Sequence, residues 1–297
     1  MAHTDNSPFD LDATQAYGAW RERKLADFPA RLDELVVPVE NPHALSDTER
    51  AAILRACERA NMAVYTLAHP DEALDKTLLT DLGAQLGLHD LDCNMYADDD
   101  GISALQVSAQ RRQHDYIPYS NHAISWHTDG YYNSPRHRVL AMVLHCARPA
   151  ARGGENRLLD HEIAYIRLRD ENPRHIAALM QPDAMTIPAN VEQGVEIRPA
   201  QSGPVFTVDA ASGKLHMRYT ARTRSIAWKR DADTQAAVRS LEALLAEDSP
   251  MIFRHRLSAG QGVICNNVLH TRSAFEDEAP AGQGRLMYRA RFYQRVS

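Results

Sequence analysis

The order of helix-like and strand-like segments predicts a mainly β fold of the α+β class, with a β-sandwich or barrel decorated by helices. Helical patterns come first, short strand-like runs follow, and one long insertion separates those runs. Strand-rich chains whose helices are segregated in this way are typical of sandwiches and barrels. Regular alternation of strands and helices, which would indicate a parallel sheet, is weak in this sequence.

The front of the chain is predicted to be rich in helix. An arm (1–45) divided by prolines comes first and is expected to pack on the main body. Ser46 followed three residues later by Glu49 is a capping-box pattern, which predicts that a helix starts here. This helix opens a helix-rich flank (46–100), whose second helix is expected to end at Gly87, because glycine commonly closes helices.

The remainder of the chain (101–297) predicts a strand-rich core with helical insertions, so that residues 1–297 form a single domain. Apolar and β-branched runs between turn-forming residues indicate the strands. The predicted strands are 62–67, 102–107, 139–146, 205–208, 214–219, 252–257, 263–265 and 285–295. The predicted helices are 46–59, 71–86, 158–171, 173–180 and 231–247.

Length and charge restrict the function classes. A chain of 297 residues and 33.2 kDa can bury a sizeable core, and all-β units often exceed ~200 residues. A net charge of -6 and a pI near 6.2 give no reason to expect a nucleic-acid partner. The basic stretch 218–224 is typical of a solvated or active-site face.

The cysteines and the chain start indicate a cytoplasmic, soluble protein. Cys57, Cys93, Cys146 and Cys265 are scattered without a CxxC pair, which predicts buried free thiols. The polar, acidic N-terminus has neither the basic nor the apolar region of a signal peptide. No run approaches the ~18 apolar residues of a membrane span, so no membrane partner is expected.

A metal site is predicted around the sequence WHTDG (126–130). In a strand, His127 and Asp129 would point to one face about 7 Å apart along the backbone, so both could reach one ion. A second histidine, His270, arrives much later in the chain. Two imidazoles and one carboxylate form a facial triad that leaves three coordination positions open, as O₂ chemistry with a chelating cosubstrate requires.

Three arginines follow His270 on a predicted strand. Arg285, Arg289 and Arg291 share one face by the two-residue period of a strand. Such a face is ordinarily the solvent side. If it instead faces a barrel interior, the guanidinium groups need anionic partners, and a dicarboxylate cosubstrate can bind one arginine through two hydrogen bonds.

Together these motifs resemble the taurine dioxygenase and clavaminate synthase superfamily of Fe(II)/2-oxoglutarate oxygenases. The resemblance covers roughly residues 116–293 and rests on HxD, the distal histidine in NNVLHTRSAF (266–275), and the paired arginines. It implies a double-stranded β-helix (jelly-roll) core, with His127, Asp129 and His270 as iron(II) ligands. It also implies that Arg285 binds the far carboxylate of 2-oxoglutarate and that Arg289 binds a substrate anion.

Two further residues bear on this resemblance. The sequence GGEN (153–156) is similar to the family's Gly-Gly-Glu/Asp-Thr turn, in which threonine contacts 2-oxoglutarate. Here Asn156 takes that position, and its amide can also donate to a carboxylate. Asp129 is retained where related halogenases carry a small residue, which favours hydroxylation or another oxidation over halogenation.

The resemblance implies a dioxygenase that uses O₂ and 2-oxoglutarate to oxidise a small anionic or zwitterionic metabolite, with succinate and CO₂ as coproducts. Tyr131, Tyr132, Asn121 and His122 flank the metal motif and are candidate substrate contacts. The tyrosines are equally consistent with packing, and beside a metal they could also enclose a quaternary ammonium group. The resemblance leaves a homodimer or homotetramer open.

Two other classes compete with the oxygenase. A zinc hydrolase with a His-Asp-His site would need a general base but no arginine strand. A non-catalytic cupin-like module would carry an incidental HxD and bind neither iron(II) nor 2-oxoglutarate tightly. Metal identity and O₂ consumption distinguish these classes from the oxygenase.

Overall fold

The described residues of the chain form two larger β-sheets, several smaller ones, and helices packed against them. The computed structural model describes residues 7–92, 100–107, 117–222, 226–278 and 283–297. The helices are α1 (Thr14–Asp27), α2 (Asp47–Ala60), α3 (Leu78–Gln85), α4 (His161–Glu171), α5 (Pro173–Leu179) and α6 (Ala232–Ala246). The strands are β1 (Val36–Val39), β2 (Met62–Leu67), β3 (Ser103–Leu105), β4 (Ile124–His127), β5 (Ala141–Arg148), β6 (Arg152–Gly153), β7 (Asn156–Leu159), β8 (Met185–Ile187), β9 (Asn190–Glu192), β10 (Val195–Arg198), β11 (Gln201–Gly203), β12 (Phe206–Val208), β13 (Leu215–Met217), β14 (Ala227–Trp228), β15 (Phe253–His255), β16 (Gln261–Cys265), β17 (Leu269–Arg272), β18 (Phe275–Glu276) and β19 (Leu286–Phe292).

The larger sheet has the strand order β1-β2-β16-β5-β19-β3. Only β1 and β2 run parallel, and the other neighbours are antiparallel. Nearly every residue of β5 and β19 is buried, which explains why these strands lack a simple alternation of apolar and polar residues. Strand β19 carries Arg289 and Arg291, and it therefore brings two cations into the protein interior.

The second sheet has the order β15-β7-β17-β4 and carries the two predicted histidine ligands. One core cluster contains residues of both sheets, including Leu158 of β7, Phe253 of β15 and Met287 of β19. The Arg289 side chain on the first sheet contacts Asp129, which directly follows β4 of the second. The candidate site therefore lies between the two sheets.

The N-terminal arm contains elements that the sequence patterns did not indicate, namely α1 and β1. A buried ion pair fastens α1 to the body, because Lys24 Nζ lies 2.7 Å from an oxygen of Asp160 and 2.6 Å from one of Glu162. The sequence does not indicate α1 as a helix, because its apolar residues show little helical periodicity.

Several predicted elements are confirmed. Ser46 and Glu49 form the reciprocal capping box at the start of α2, and the strand at Met62–Leu67 is found. The predicted helix at 71–86 is divided into a 3₁₀ turn, Pro70–Leu74, and α3. The prediction of a helix from residue 158 was wrong at its start, because β7 runs to Leu159 and Asp160 caps α4.

The strand predictions found the long buried strands better than the short ones. The predicted strands at 139–146 and 285–295 correspond to β5 and β19. The short strands β8, β9, β10 and β11 lie in an irregular part of the chain that no pattern indicated, although Met185 and Ile187 of β8 are buried. Pairing with neighbours, rather than local sequence, defines strands of this length.

The predicted free thiols are confirmed for three cysteines, because Cys57, Cys146 and Cys265 are buried and unpaired. Cys93 lies outside the described residues. Within the described ranges, none of the helices combines the length and the apolar character needed to cross a bilayer.

Candidate metal centre

The two histidines meet across a pair of antiparallel strands. His127 ends β4, and His270 on β17 is its direct partner in the strand register. Their ring centroids are 4.1 Å apart. Asp129 follows two residues after His127, and one ligand atom from each of the three residues lies within 4.8 Å of the other two. Residues from distant parts of the sequence thus form one cluster with two nitrogen ligands and one oxygen ligand.

Hydrogen bonds orient both imidazole rings for metal binding. His127 Nδ1 lies 2.9 Å from the carbonyl oxygen of Ser125, and His270 Nδ1 lies 3.0 Å from that of Val268. Because a carbonyl oxygen can only accept, each Nδ1 carries the proton and each Nε2 keeps its lone pair. Rings held in this tautomer by a second hydrogen bond are typical of metal ligands.

The Asp129 carboxylate is buried and only partly satisfied. Its Oδ1 accepts from Arg289 Nη1 at 3.1 Å, whereas Oδ2 is buried and has no hydrogen-bond partner among the described residues. A buried carboxylate oxygen without a donor is costly unless a cation completes it. The neighbouring Nε2 of His127, 3.9 Å from Oδ1, cannot serve as a donor in this tautomer. The three residues therefore fit a divalent metal ion.

The protonation states also suit a metal. Burial lowers the pKa of His127 to about 3, and the neighbouring His270 contributes to this shift. Burial likewise lowers the pKa of His270. Burial alone would raise the pKa of Asp129, but Arg289 and Arg291 more than offset it and hold the pKa well below its usual range. The site is thus two neutral imidazoles and one carboxylate near pH 7.

Asn267 positions the backbone of Asp129 and was not identified from the sequence. Its side-chain Oδ1 accepts from the Asp129 N–H at 2.7 Å, and its Nδ2 donates to the Asp129 carbonyl at 2.9 Å. Asn267 is fully buried with a φ of 53°, a left-handed conformation that asparagine tolerates better than most residues. Its place three residues before His270 is the only signal that the sequence offered.

Arg285 and Asn156 line the same small cavity, together with Gly154, Arg256 and Met287. Arg285 is 5% exposed, burial lowers its pKa to about 10, and none of the described carboxylates forms an ion pair with it. Asn156 uses one amide hydrogen on the Thr271 carbonyl at 3.1 Å, and within the described ranges neither its second amide hydrogen nor its buried Oδ1 has a partner. A buried, unpaired guanidinium beside a free amide hydrogen fits a carboxylate ligand.

Gly153 is required by the backbone next to this cavity. Its φ is +72°, and a Cβ at this position would lie 2.2 Å from the Ala274 carbonyl oxygen. The GGEN sequence is therefore a turn that packs directly on the chain after β17. This close approach brings Asn156 to the same cavity as Arg285.

A separate cavity of about 90 Å³ opens onto the metal cluster. Tyr131 and Arg289, two predicted substrate contacts, line this cavity. So do residues that the sequence did not single out as contacts, namely Tyr119, Thr220, Arg222 and Arg291. Arg291 is engaged by Asp92 and by the Tyr132 hydroxyl, and Arg289 is paired with Asp129. Arg222, and the buried Nε of Arg289, which has no hydrogen-bond partner among the described residues, are therefore the cationic groups left to bind an anion here.

The structure places Asn121 differently from the prediction. Its side chain is exposed, and it is not among the residues that line the metal cavity, nor is His122. The Asn121 backbone carbonyl instead accepts from the Phe275 N–H at 3.1 Å. Proximity to the HxD motif in sequence was the basis of the prediction, but both side chains are exposed and neither lines this cavity.

Comparison with known proteins agrees with this geometry. Residues 22–291 match the family model described as "Taurine catabolism dioxygenase TauD, TfdA family". A curated relative, uridine-5'-phosphate dioxygenase of Amycolatopsis sp, is 30% identical over 161 residues. The matched stretch covers 52% of this chain and 56% of that relative.

Solved structures with the same fold include two oxygenases and a further protein, AAD-2. Asparagine oxygenase in complex with Fe(II), 3-hydroxyasparagine and succinate has a TM-score of 0.62 and 16% identity, with 84% of this chain and 81% of the other covered. The non-haem iron oxygenase OrfP with Fe and α-ketoglutaric acid has a TM-score of 0.60 and 16% identity, and the match covers 84% of this chain and 80% of OrfP. AAD-2 with Mn(II) and N-oxalylglycine has a TM-score of 0.59 and 13% identity, and the match covers 89% of this chain and 96% of AAD-2.

The family match covers nearly the whole chain, and it includes both histidines, the aspartate and the arginine strand. The fold comparisons agree with it. This chain therefore belongs to the TauD/TfdA family of dioxygenases.

Proposed function

We propose that this protein is a dioxygenase that requires Fe(II) and 2-oxoglutarate and oxidises a small anionic or zwitterionic metabolite with O₂. The observation that carries the proposal is the cluster of His127, Asp129 and His270, with ligand atoms within 4.8 Å and both Nε2 atoms free to bind. Family membership supports the same activity. The domain organisation proposed with it is a single unit around a jelly-roll core, preceded by an arm at 1–45 and a helical flank at 46–100.

In this proposal His127, Asp129 and His270 hold iron(II), and Arg285 with Asn156 holds the far carboxylate of 2-oxoglutarate. Iron(II) with 2-oxoglutarate and O₂ supplies the oxidation of a C–H bond, with succinate and CO₂ as coproducts. The protein contributes a fixed ligand set and a cavity that excludes water around it. Asn267 holds the Asp129 backbone so that the carboxylate stays aimed at the cluster.

The substrate side of the cavity favours an anion. Arg289 and Arg222 line it, and Tyr131 and Tyr132 supply apolar faces with a polar edge. Arginine binds carboxylates, sulfonates and phosphates through paired hydrogen bonds. The relative whose name includes uridine-5'-phosphate supports a phosphate ester as a member of this substrate class. A cage for a quaternary ammonium group is less favoured, because the two arginines would repel it.

The other proposals about the protein are a cytoplasmic location and a homo-oligomer of two or four chains. A zinc hydrolase is less well supported, because the buried arginines at Arg285 and Arg289 have no role in such a site. A non-catalytic module is not favoured by a family of dioxygenases.

The test is a coupled assay of 2-oxoglutarate turnover. Iron(II)-loaded protein should consume O₂ and form succinate in equal amounts, at a rate that rises with a phosphate-ester, sulfonate or carboxylate substrate. The matched variants are His270→Ala, which should abolish succinate formation, and His255→Ala, which changes a histidine outside the metal cluster. Succinate formation by zinc-loaded protein, or equal activity of the two variants, would contradict the proposal.

A further inference from the structure

The strand that carries His270 also carries Arg272, a buried arginine outside the predicted metal and cosubstrate contacts. Arg272 lies two residues after His270 on β17 and is 5% exposed. No carboxylate among the described residues forms an ion pair with it. A buried guanidinium without a counter-ion is costly unless other acceptors satisfy its hydrogens. Its contacts therefore indicate a specific role.

Those contacts are backbone carbonyls of one segment. Arg272 Nη2 donates to the carbonyls of Ser120 at 2.7 Å and His122 at 2.5 Å, and Nη1 donates to that of Pro118 at 3.3 Å. The Phe275 N–H donates to the Asn121 carbonyl at 3.1 Å. The end of the ligand-bearing strand thus holds the segment 117–122 along most of its length.

Through its first three residues, this segment, the pocket wall (117–122), borders the cavity that opens onto the metal cluster. Ile117, Pro118 and Tyr119 line that cavity. The wall is a short 3₁₀ turn followed by a loop, and it lacks the ladder hydrogen bonds that would hold a strand in place. Besides the packing of Tyr119 in the core, the hydrogen bonds from Arg272 and from the Phe275 N–H hold its backbone beside the metal cavity. The planar fork of an arginine can reach several carbonyls at once, which a lysine cannot.

A second contact links Arg272 to the proposed 2-oxoglutarate site. The guanidinium carbons of Arg272 and Arg285 lie 5.0 Å and 4.9 Å from the centroid of the same ring, that of Phe275. Two cations that share one aromatic neighbour repel each other in a buried, low-dielectric environment. A carboxylate bound at Arg285 would neutralise one of them and so relieve the repulsion on the other.

We propose that Arg272 is a positioning residue that holds the pocket wall (117–122) beside the metal and tightens that wall when a carboxylate binds Arg285. The coupling gives an order to binding, because 2-oxoglutarate at Arg285 prepares the surface that the substrate meets. The inference rests on the proposed use of 2-oxoglutarate, and it assigns to this chain a link between two sites that share no side chain. By thermodynamic reciprocity, the factor by which bound 2-oxoglutarate stabilises the wall equals the factor by which loosening the wall weakens 2-oxoglutarate binding.

The test measures amide hydrogen exchange of the segment 117–124 in Mn(II)-loaded protein, which cannot turn over, with and without 2-oxoglutarate. In wild type, 2-oxoglutarate is expected to slow this exchange at least about fivefold. In Arg272→Lys, exchange should be faster throughout, and 2-oxoglutarate should add no protection. The Kd of this variant for 2-oxoglutarate should rise by the factor by which 2-oxoglutarate slows exchange in wild type, while its Kd for Mn(II) stays unchanged. The matched control is Arg254→Lys, at an exposed arginine paired with Asp248, which should behave as wild type.

The outcomes separate the inference from the proposed function. Calorimetry that detects no 2-oxoglutarate binding to wild type overturns the proposed function and the coupling together. Binding without any change in exchange at 117–124 overturns the coupling alone, as does full protection in Arg272→Lys. The wild-type comparison decides the question by itself if Arg272→Lys fails to fold.

Discussion

The Nη1 atom of Arg289 lies 3.1 Å from Oδ1 of Asp129, although the two residues are 160 positions apart in the chain. This contact joins the arginine strand of one sheet to the metal motif of the other. It also places the arginine expected to bind a substrate anion directly against an expected metal ligand. A substrate anion held by Arg289 would therefore lie beside the metal, where oxidation takes place.

Replacing Arg289 should separate metal binding from substrate binding. In Arg289→Gln the divalent metal is expected to bind at least as tightly, because a cation that competes for Oδ1 of Asp129 is removed. The KM for an anionic substrate should rise about tenfold or more, because a buried charge-assisted contact is lost. Mn(II) titration followed by electron paramagnetic resonance and steady-state kinetics measure the two effects. A large loss of Mn(II) affinity would show instead that Arg289 serves the metal site.

Arg285 should govern cosubstrate affinity. In Arg285→Gln the Kd for 2-oxoglutarate is expected to rise about 100-fold, or ~2.7 kcal/mol, because a bidentate hydrogen bond with a carboxylate is lost. Calorimetry on Mn(II)-loaded protein measures this change, and Arg254→Gln serves as a surface control. An unchanged Kd in Arg285→Gln would place the far carboxylate elsewhere.

Metal binding should depend little on pH in the acidic range. Free imidazoles have pKa values near 6.5, so an ordinary pair would take up protons and weaken metal binding at about pH 6. Burial lowers the pKa of His127 to about 3, so that His127 stays neutral there, and it also lowers the pKa of His270. We therefore expect the Mn(II) Kd to change less between pH 7.5 and 6.0 than the roughly tenfold expected of two ordinary imidazoles. If the Mn(II) affinity instead fell by that roughly tenfold factor, as expected when two ordinary imidazoles are protonated in this range, burial would not have the effect described.

The same shifts have a consequence for the stability of the metal-free protein. A histidine whose folded-state pKa is lowered binds its proton more readily in the unfolded chain. The free energy of unfolding of the metal-free protein should therefore decrease as the pH falls below about 6.5, and the loss should continue toward the lower folded-state values. Urea unfolding at a series of pH values measures the slope, which should be smaller in His127→Gln.

Lys24 should be important for stability although it is far from the catalytic chemistry. Lys24→Met leaves Asp160 buried without its cation, and a broken buried pair costs about 3–5 kcal/mol. Arg21→Met on the same helix removes an exposed pair with Asp170 and should cost less than about 1 kcal/mol. Chemical unfolding of both variants at pH 7 measures the difference, and similar values for the two would contradict the prediction.

The pH dependence of the Lys24 effect follows from the pKa shifts. Burial alone would raise the pKa of Asp160, but Lys24 more than offsets it, and the net pKa is lowered. The stability that this carboxylate contributes is present above its unfolded pKa of about 3.9 and is lost as the pH falls through the folded pKa. The destabilisation caused by Lys24→Met should therefore be largest near pH 7 and decrease in acid.

The two-residue spacing allowed His127, Asp129 and the arginines to be predicted as candidates, although β4 ends at His127 and Asp129 lies in the turn that follows, outside the strand that the spacing assumed. His127 and Asp129 are two residues apart, and Arg289 and Arg291 repeat the same period on β19. The positioning role of Asn267 could not be derived, because it depends on a turn that meets Asp129 across 138 positions of sequence. The contacts of Arg272 with the pocket wall likewise depend on which loop lies beside β17, and no local pattern encodes that.

Iron(II) held by His127, Asp129 and His270 should bind 2-oxoglutarate directly. Anaerobic titration of the iron(II)-loaded protein with 2-oxoglutarate should produce a weak visible charge-transfer band. The band should be absent in His127→Ala and retained in His255→Ala, each checked for native folding. A correctly folded, iron-loaded wild type that develops no band, or a His127→Ala variant that keeps it, would contradict the central claim.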